Sequence, residues 1–171
     1  MFKWLLKSSL QLSVIYFFIF ILIILLILTF ILKKVMSKDY DQISVKPGFM
    51  KHNGGVLFKN ISETEYEFKS TVNENHLNAA GITHGGYLSA LIDAGAGTAA
   101  HRAAENAPCV TISLDLKFIG ASKVGDEIIG NVKILKKTKT LVFLFCELSC
   151  NNKIITSASG VWKILKIKPS S

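Results

Sequence analysis

Three consecutive residues at the start of a predicted helix could bind developing negative charge. His84, Gly85 and Gly86 stand where a loop enters this helix. The first N–H groups of a helix have no partner within the helix, and the helix dipole adds partial positive charge there. Because glycine has no side chain, a substrate carbonyl can approach its backbone closely. The pattern is compatible with an oxyanion hole, although, taken alone, it is more typical of a tight turn that has no chemical role.

One carboxylate lies further along the same helix. Asp93 is the only charged residue between Gly85 and Ala100. An unpaired buried carboxylate is costly, so such a residue usually has a function or a fixed partner; the alternatives are that it faces solvent or hydrogen-bonds a neighbouring strand. It lies about 12 Å along the helix from Gly85, too far to act at the helix N-terminus. A two-fold dimer with antiparallel helices would bring Asp93 to Gly85 of the second subunit, so the spacing predicts a shared site.

The surrounding pattern predicts six strands and one long helix. Two β-like runs, 56–58 and 66–72, precede a helix over 85–104 that is rich in alanine and glycine. Four β-like runs follow, over 110–119, 127–135, 141–148 and 154–167. A single helix cannot supply the crossovers of a parallel sheet. We therefore expect an α+β domain in which an antiparallel sheet wraps around one slim central helix.

The N-terminal region is strongly apolar. The stretch from Ser8 to Leu32 has no charged residue, and about 20 such residues cross a bilayer as a helix. A signal peptide is less favoured, because the run is long and ends in two lysines without a small-residue cleavage site. We predict a tail over 1–9, a transmembrane helix over 10–32, a linker over 33–52 and a domain over 53–168. More lysines follow the span than precede it, which favours a single-pass protein with a cytoplasmic domain.

The charge and the cysteines indicate which ligands the domain could bind. The net charge is +8, from 20 basic and 12 acidic side chains, and a basic surface suits anionic ligands such as nucleic acid or the phosphates of coenzyme A. No helix-turn-helix or zinc-knuckle pattern accompanies the charge, so nucleic acid is not expected. Cys146 and Cys150 would be about 13 Å apart on one strand, too far for a disulfide. We expect free thiols and no metal site.

These residues carry a resemblance to a known family. The motif reads Asn78-x-x-Gly81-x-x-His84-Gly85-Gly86-x6-Asp93. It resembles the signature of hotdog-fold thioesterases of the PaaI and acyl-CoA thioesterase 13 type, and the run from Thr111 to Asp126 is similar to the next two strands of that family. The likeness covers about residues 53–167. It implies hydrolysis of acyl-CoA or aryl-CoA, no cofactor besides the coenzyme A of the substrate, and a homodimer or tetramer with shared active sites.

The resemblance also implies roles for single residues. The backbone N–H of Gly85 and the side chain of Asn78 would polarise the thioester carbonyl. Asp93 of the partner subunit would act as general base on water, or as nucleophile. Thr111 would orient that water, and His84 would order the loop and the leaving sulfur.

Substrate binding is assigned to Gly81 and Gly86, which flank the helix start. After Phe118 the family commonly has a basic residue and a proline, whereas this chain has Gly, Ala and Ser at 120–122. Lys117, Lys123 and Lys136 are candidates for the phosphate contacts instead, although isolated strand lysines are more often only solvated.

Two other functions fit parts of the pattern. One is a non-catalytic module that binds or senses acyl-CoA or acyl carrier protein at the membrane; a pure binder would have no need of a base such as Asp93. The other is a hotdog dehydratase acting on 3-hydroxyacyl thioesters, which would require an Asp–His pair that the sequence does not suggest. Hydrolysis is the preferred prediction.

Overall fold

The computed structural model describes residues 16–29 and 40–166. The described helices are α1 over 16–29, α2 over Phe49–His52 and α3 over Gly85–Ala103, with a 3₁₀ helix over Glu74–His76. The strands β1 to β7 are Asp41–Ile43, Val56–Asn60, Glu65–Thr71, Cys109–Phe118, Glu127–Lys137, Leu141–Cys150 and Lys153–Ile164. Every predicted strand and the predicted helix are present, with ends shifted by at most three residues.

The strands form one antiparallel sheet that packs against α3. Their order is β1-β2-β3-β5-β6-β7-β4. Successive side chains of a strand point to opposite faces, and in β6 every second residue from Val142 to Cys150 is buried in the core. Cys146 and Cys150 therefore lie on the same face of β6 and, like Cys109, are free thiols. The prediction of an antiparallel sheet around one central helix is confirmed.

The end of α3 determines where β4 lies. Glu105 and Asn106 have φ angles of 56° and 64°, and this left-handed conformation cannot continue a right-handed helix. The chain reverses there, and β4 then runs back along α3. As a result, Thr111 near the start of β4 lies beside Asp93 in the middle of the helix.

A phenylalanine explains why α3 has to be slim. Phe68 on β3 is fully buried, and its ring lies against Gly95 of α3 on one side and Gly130 of β5 on another. A side chain at either glycine would overlap the ring. The closely wrapped sheet expected from the small residues of the helix is thus produced by one aromatic ring between two glycines.

The predicted membrane anchor is contradicted. Among the described residues, no helix is long and apolar enough to cross a membrane. The predicted single-pass localisation with a cytoplasmic domain was therefore wrong, and the transmembrane helix predicted over 10–32 and the membrane as a partner are not supported. Residues 10–15 and 30–32 of that prediction, like the tail over 1–9, lie outside the described residues.

The compact domain begins at Tyr40. The second half of the stretch interpreted as a linker over 33–52 contains β1 and α2, while 33–39 lie outside the described residues. Strand β1 pairs with β2, and the Tyr40 hydroxyl donates a hydrogen bond to Glu67 on β3. The ammonium of Lys69 lies 4.8 Å from the centroid of the Tyr40 ring. The domain thus starts with β1, an edge strand of the sheet that was not among the predicted strands.

Candidate active site

A short loop before α3 is closed by backbone hydrogen bonds. The N–H of His84 donates to the carbonyl of His76 at 2.7 Å, and the N–H of Asn78 donates to the carbonyl of Ile82 at 2.8 Å. Gly81 at the tip has a φ of +74°, which favours a residue without a side chain. The position of Gly81 is thus explained by the turn. The loop holds Asn78 close to the start of the helix.

The side chain of Asn78 is oriented by the same loop. Its Oδ1 accepts hydrogen bonds from the N–H of Ala80 at 2.9 Å and of Ile82 at 3.4 Å. Because both bonds use the carbonyl end of the amide, the Nδ2 group is left as a donor. No acceptor for it is found within 40–166. The Asn78 amide can therefore donate to a ligand without a change in the loop.

The N-terminus of α3 leaves one backbone donor unused. His84 is the N-cap residue, and its Nδ1 accepts the N–H of Gly86 at 2.8 Å. The N–H groups of Tyr87 and Leu88 both donate to the carbonyl of His84. In the described part of the chain the N–H of Gly85 has no acceptor. Among the first helical residues, Gly85 is thus the one that can bind a carbonyl oxygen or an oxyanion.

His84 and Gly86 share a hydrogen bond at the start of α3. The N–H of Gly86 is occupied by His84, and a methyl group at Gly86 would lie 2.9 Å from the ring nitrogen Nδ1. Gly86 thus permits the cap, and its backbone is not free for a substrate. A neutral imidazole that accepts at Nδ1 carries its hydrogen on Nε2. His84 is exposed, so this second nitrogen can donate to a ligand.

An aromatic ring borders the free N–H, and Phe118 was not among the predicted site residues. A methyl group at Gly85 would lie 3.2 Å from Cζ of Phe118, so the ring packs directly on the glycine. Phe118 is 57% exposed and forms an apolar wall beside the donor. The strand was predictable but this contact was not, since no sequence pattern relates residue 118 to residue 85.

Asp93 and Thr111 form a second group. The Thr111 hydroxyl donates to Oδ1 of Asp93 at 2.6 Å, and both residues are exposed in one protomer. Among the described residues, no ion pair involves Asp93. Among the described strands, β4 pairs only with β7, so its other edge is open next to this pair. Val110 and Ile112 on β4 are exposed at 45% and 57%.

The two groups are not joined within one protomer. Gly85 and Asp93 are on the same helix, about 12 Å apart along its axis. Asn78, His84 and Gly85 form one group at the helix start, and Asp93 with Thr111 forms the other. The shared site predicted from the spacing stays a prediction.

Two of the candidate lysines, Lys117 and Lys123, lie in different surroundings. Lys117 on β4 makes an exposed ion pair with Asp115 at 2.6 Å. Lys123 lies in the loop after β4 and lines a cavity of about 520 Å³, together with Ile82 from the loop that carries Asn78. The backbone N–H of Lys123 donates to Asp126 at 2.9 Å and holds the pKa of that carboxyl below its ordinary value. Of the two lysines, only Lys123 lines this cavity.

Two buried hydroxyls connect these loops, and sequence reasoning missed them. The Ser122 hydroxyl donates to the Thr83 hydroxyl at 2.8 Å, which donates to the Ser122 carbonyl at 3.1 Å. The backbone N–H of Thr83 donates to the same carbonyl. The loop over 120–122, where the chain departs from the family pattern, is thereby fixed to the loop before α3.

Comparisons with known proteins show which family the sequence and the fold resemble. The family model described as the thioesterase superfamily matches residues 80–154. A Pseudomonas aeruginosa protein that is named as a candidate esterase is 35% identical over 94 residues, which is 54% of this chain and 70% of that protein. Acyl-coenzyme A thioesterase 13 of Mus musculus is 29% identical over 103 residues, 60% of this chain and 74% of that protein. The crystal structure of zebrafish thioesterase superfamily member 2 is similar with a TM-score of 0.65 and 25% identity, covering 71% of this chain and 90% of that one.

Proposed function

The chain belongs to the thioesterase superfamily, and from this premise we propose that it hydrolyses acyl-CoA or aryl-CoA thioesters to a free acid and coenzyme A. The choice of a coenzyme A thioester is supported by the similarity to acyl-coenzyme A thioesterase 13. The observation that carries the proposal is the 2.6 Å hydrogen bond from Thr111 to Asp93, because it orients an exposed carboxylate that no ion pair in the described residues neutralises.

This hydrogen bond leaves the atoms that a general base needs. Thr111 uses its hydrogen to bond Oδ1 of Asp93, so the lone pairs of its oxygen can accept a hydrogen bond from water. Oδ2 of Asp93 remains available to take the proton. A positioned carboxylate base contributes about 10²–10⁴-fold to a rate.

The reaction would be completed at the start of α3 of the second subunit. The Gly85 N–H and the Asn78 amide would bind the carbonyl oxygen while water attacks the carbonyl carbon and Asp93 takes a proton from the water. The tetrahedral oxyanion would then collapse, the C–S bond would break, and the proton would pass to the leaving sulfur. Loss of one oxyanion donor typically lowers kcat by about 10²–10³-fold. Direct attack by Asp93 on the carbonyl is the alternative route.

The open edge of β4 supports a two-fold dimer. Exposed sheet edges are normally covered or paired, and this edge carries the apolar side chains of Val110 and Ile112. Pairing of β4 with β4 of a second copy would continue the sheet and set the two α3 helices antiparallel. Asp93 of each subunit would then approach Gly85 of the other.

Substrate binding would extend from this site towards Lys123. The cavity that Lys123 lines also contains the apolar side chains of Ile82 and Ile119. Lys153 also lines this cavity, and the carboxyl of Asp126, which lines it too, is already bonded to the backbone N–H of Lys123, so the two ammonium groups suit a flexible arm that carries phosphate. Lys117 is already paired with Asp115, so we assign the phosphate contact to Lys123 first.

The test is thiol release by the full chain from short-chain, long-chain and aryl-CoA thioesters. We expect Asp93→Ala to lose at least about 10²-fold in kcat, whereas Asp41→Ala, which removes an exposed carboxylate from β1, should behave as the unchanged chain. Equal turnover by Asp93→Ala and the unchanged chain would rule out the proposed role.

Subunit mixing tests the shared site. Neither Asp93→Ala nor Asn78→Ala alone should be active, but a mixed dimer would contain one intact site of two. Co-expression in equal amounts would make half of the dimers mixed, and so should recover about a quarter of full activity. No recovery above the sum of the single variants would place both residues in one subunit.

A further inference from the structure

A buried histidine connects the segments that carry the proposed donors. His76 ends the 3₁₀ helix over Glu74–His76 and is only 1% exposed. Its ring stacks on the ring of Tyr87 in the first turn of α3, with centroids 3.6 Å apart and planes inclined by 10°. Tyr87 in turn shares a 2.8 Å hydrogen bond with Ser70 of β3. The ring of His76 is thus held against the part of the helix that contains Gly85.

Both ring nitrogens of His76 have partners. Nδ1 accepts the N–H of Asn73 at 3.1 Å, and Nε2 lies 3.1 Å from the carbonyl oxygen of Asn53. A carbonyl can only accept, so Nε2 carries the hydrogen and the imidazole is neutral. Burial lowers the pKa of His76, with a partial opposing effect of the hydrogen bond to Asn53. The ring therefore links the 3₁₀ helix to the residue that follows α2.

The backbone of the same residue closes the loop. The carbonyl of His76 accepts the N–H of His84 at 2.7 Å. This hydrogen bond joins the two ends of the loop that carries Asn78. His84 is the N-cap of α3, and the free N–H of Gly85 follows it directly. The backbone of His76 therefore holds His84, which precedes Gly85, and its side chain contacts Tyr87, which follows two residues after Gly85.

We infer that His76 is a positioning residue, which sets the Asn78 amide and the Gly85 N–H at the separation that one carbonyl oxygen requires. The inference rests on the proposed function, in which these two groups bind the thioester oxygen. His76 is buried beneath the loop and does not touch substrate.

The chemistry of the ring supports this role over simple space filling. Burying two polar nitrogens is costly unless both are hydrogen-bonded, and an apolar ring would fill the same volume without that requirement. The imidazole supplies one acceptor and one donor on opposite sides, which match a backbone N–H and a backbone carbonyl from two different segments. These bonds restrict the orientation of the ring, and with it the position of the His76 carbonyl.

The test compares His76→Phe and His76→Gln with the control His101→Phe. Phenylalanine keeps the stack on Tyr87 but makes neither hydrogen bond, whereas glutamine can still donate an N–H towards the Asn53 carbonyl. His101 is half-buried at the other end of α3 and also bonds a backbone carbonyl, that of Ala107, at 2.8 Å. It has no contact with the loop, and it therefore controls for the loss of a buried imidazole hydrogen bond.

We expect His76→Phe to lower kcat for acyl-CoA by about 10²-fold, because misplacement by about 1 Å costs this much. KM should change less than about threefold, since donors that act mainly in the transition state affect kcat. His76→Gln should recover part of the loss, and His101→Phe should keep full kcat. A folded His76→Phe with unchanged kcat, or a loss confined to KM, would overturn the inference.

A second measurement separates this inference from the proposed function. Amide hydrogen exchange at His84 reports the bond to the His76 carbonyl directly, and it should become at least about tenfold faster in His76→Phe and in His76→Gln than in His101→Phe. If the unchanged chain hydrolyses no thioester, the proposed function fails and the exchange result decides the positioning claim. Unchanged exchange at His84 in both His76 variants overturns it.

Discussion

The substitution Gly95→Ala tests the packing that holds α3 in the sheet. A methyl group at Gly95 would lie 2.5 Å from Cγ of Phe68 and closer still to two other carbons of the ring. The ring cannot retreat, because a methyl group at Gly130 on its other side would lie 2.5 Å from Cε1 and closer still to Cζ. Phe68 is fully buried, so neither the ring nor the helix has free space into which to move.

Two effects of opposite sign decide the size of the change. Alanine is favoured over glycine inside a helix by about 0.5–1 kcal/mol. Overpacking of a well-filled core costs about 1–3 kcal/mol and occasionally more. Since the overlap involves several ring atoms, the second effect should dominate. We expect a net loss of about 1–2 kcal/mol in the free energy of unfolding, or roughly 4 °C in Tm per kcal/mol for a domain of this size.

Urea unfolding followed by tryptophan fluorescence measures this loss, because Trp162 is 1% exposed in the folded domain. The control is Gly97→Ala in the same helix, where a methyl group would meet only the Trp162 ring nitrogen, at 3.2 Å; it should stay within about 1 kcal/mol of the unchanged chain. Adding Phe68→Leu to Gly95→Ala should give a coupling of about 0.5–3 kcal/mol, because the smaller side chain relieves the overlap. Equal unfolding midpoints for Gly95→Ala and Gly97→Ala would refute the reasoning.

Three further predictions concern the site. Thr111→Val should lower kcat/KM about tenfold, equivalent to about 1.4 kcal/mol, by removing the bond to Asp93, and Thr111→Ser should retain most activity in the same initial-rate assay; equal loss in both variants would argue against the hydroxyl. The pKa of His76 in the folded chain is lowered below its ordinary 6.5. As the pH falls below 6.5, this histidine is therefore protonated in the unfolded chain before it is protonated in the folded chain. The free energy of unfolding should then decrease as the pH drops from 6.5 towards the lowered pKa. His76→Gln should flatten this dependence in urea unfolding between about pH 5 and 7, and an unchanged slope would contradict it. Gly86→Ala should displace the His84 ring, keep stability within about 1 kcal/mol because the lost cap is offset by helix propensity, and lower kcat several-fold in thiol release.

Much of the fold was predictable because its signals are local. The helix over Gly85–Ala103 and the later strands follow from periodicity and from turn residues such as Asn151 and Asn152, which adopt φ angles of 50° and 61°. The resemblance to hotdog-fold thioesterases is confirmed by the family comparison. By contrast, β1 and α2 contain three and four residues, too few for a periodic pattern to appear.

The site was predictable only in part, because its support comes from residues far apart in the chain. The contact between Phe118 and Gly85, the hydroxyl pair of Thr83 and Ser122, and the two bonds of the His76 ring all depend on the folded arrangement. Asp93 shows the same limit. Its exposed position and its bond to β4 match the structural alternative raised from the sequence, and only the geometry of the pair with Thr111 favours a base.

The N-terminal prediction rested on hydropathy, which gives the length of an apolar run and does not by itself place that run in a membrane. A run of 25 uncharged residues is long enough to cross a bilayer. Among the residues that the structure describes, no helix is long and apolar enough for such a span.

Asp93 and Gly85 lie on the same helix, and this constrains the geometry of the proposed dimer. A two-fold axis that brings Asp93 to Gly85 of the other copy passes closest to the midpoint of the two residues, which is Ser89. A large side chain there would force the helices apart and separate base from donor at both sites together. Ser89 is small, and its hydroxyl donates to the carbonyl of Gly85 in its own helix at 2.8 Å, so it projects little towards a second helix. The residue at which close approach matters most is therefore one that permits it, and its hydrogen bond involves the same glycine whose N–H is the proposed donor.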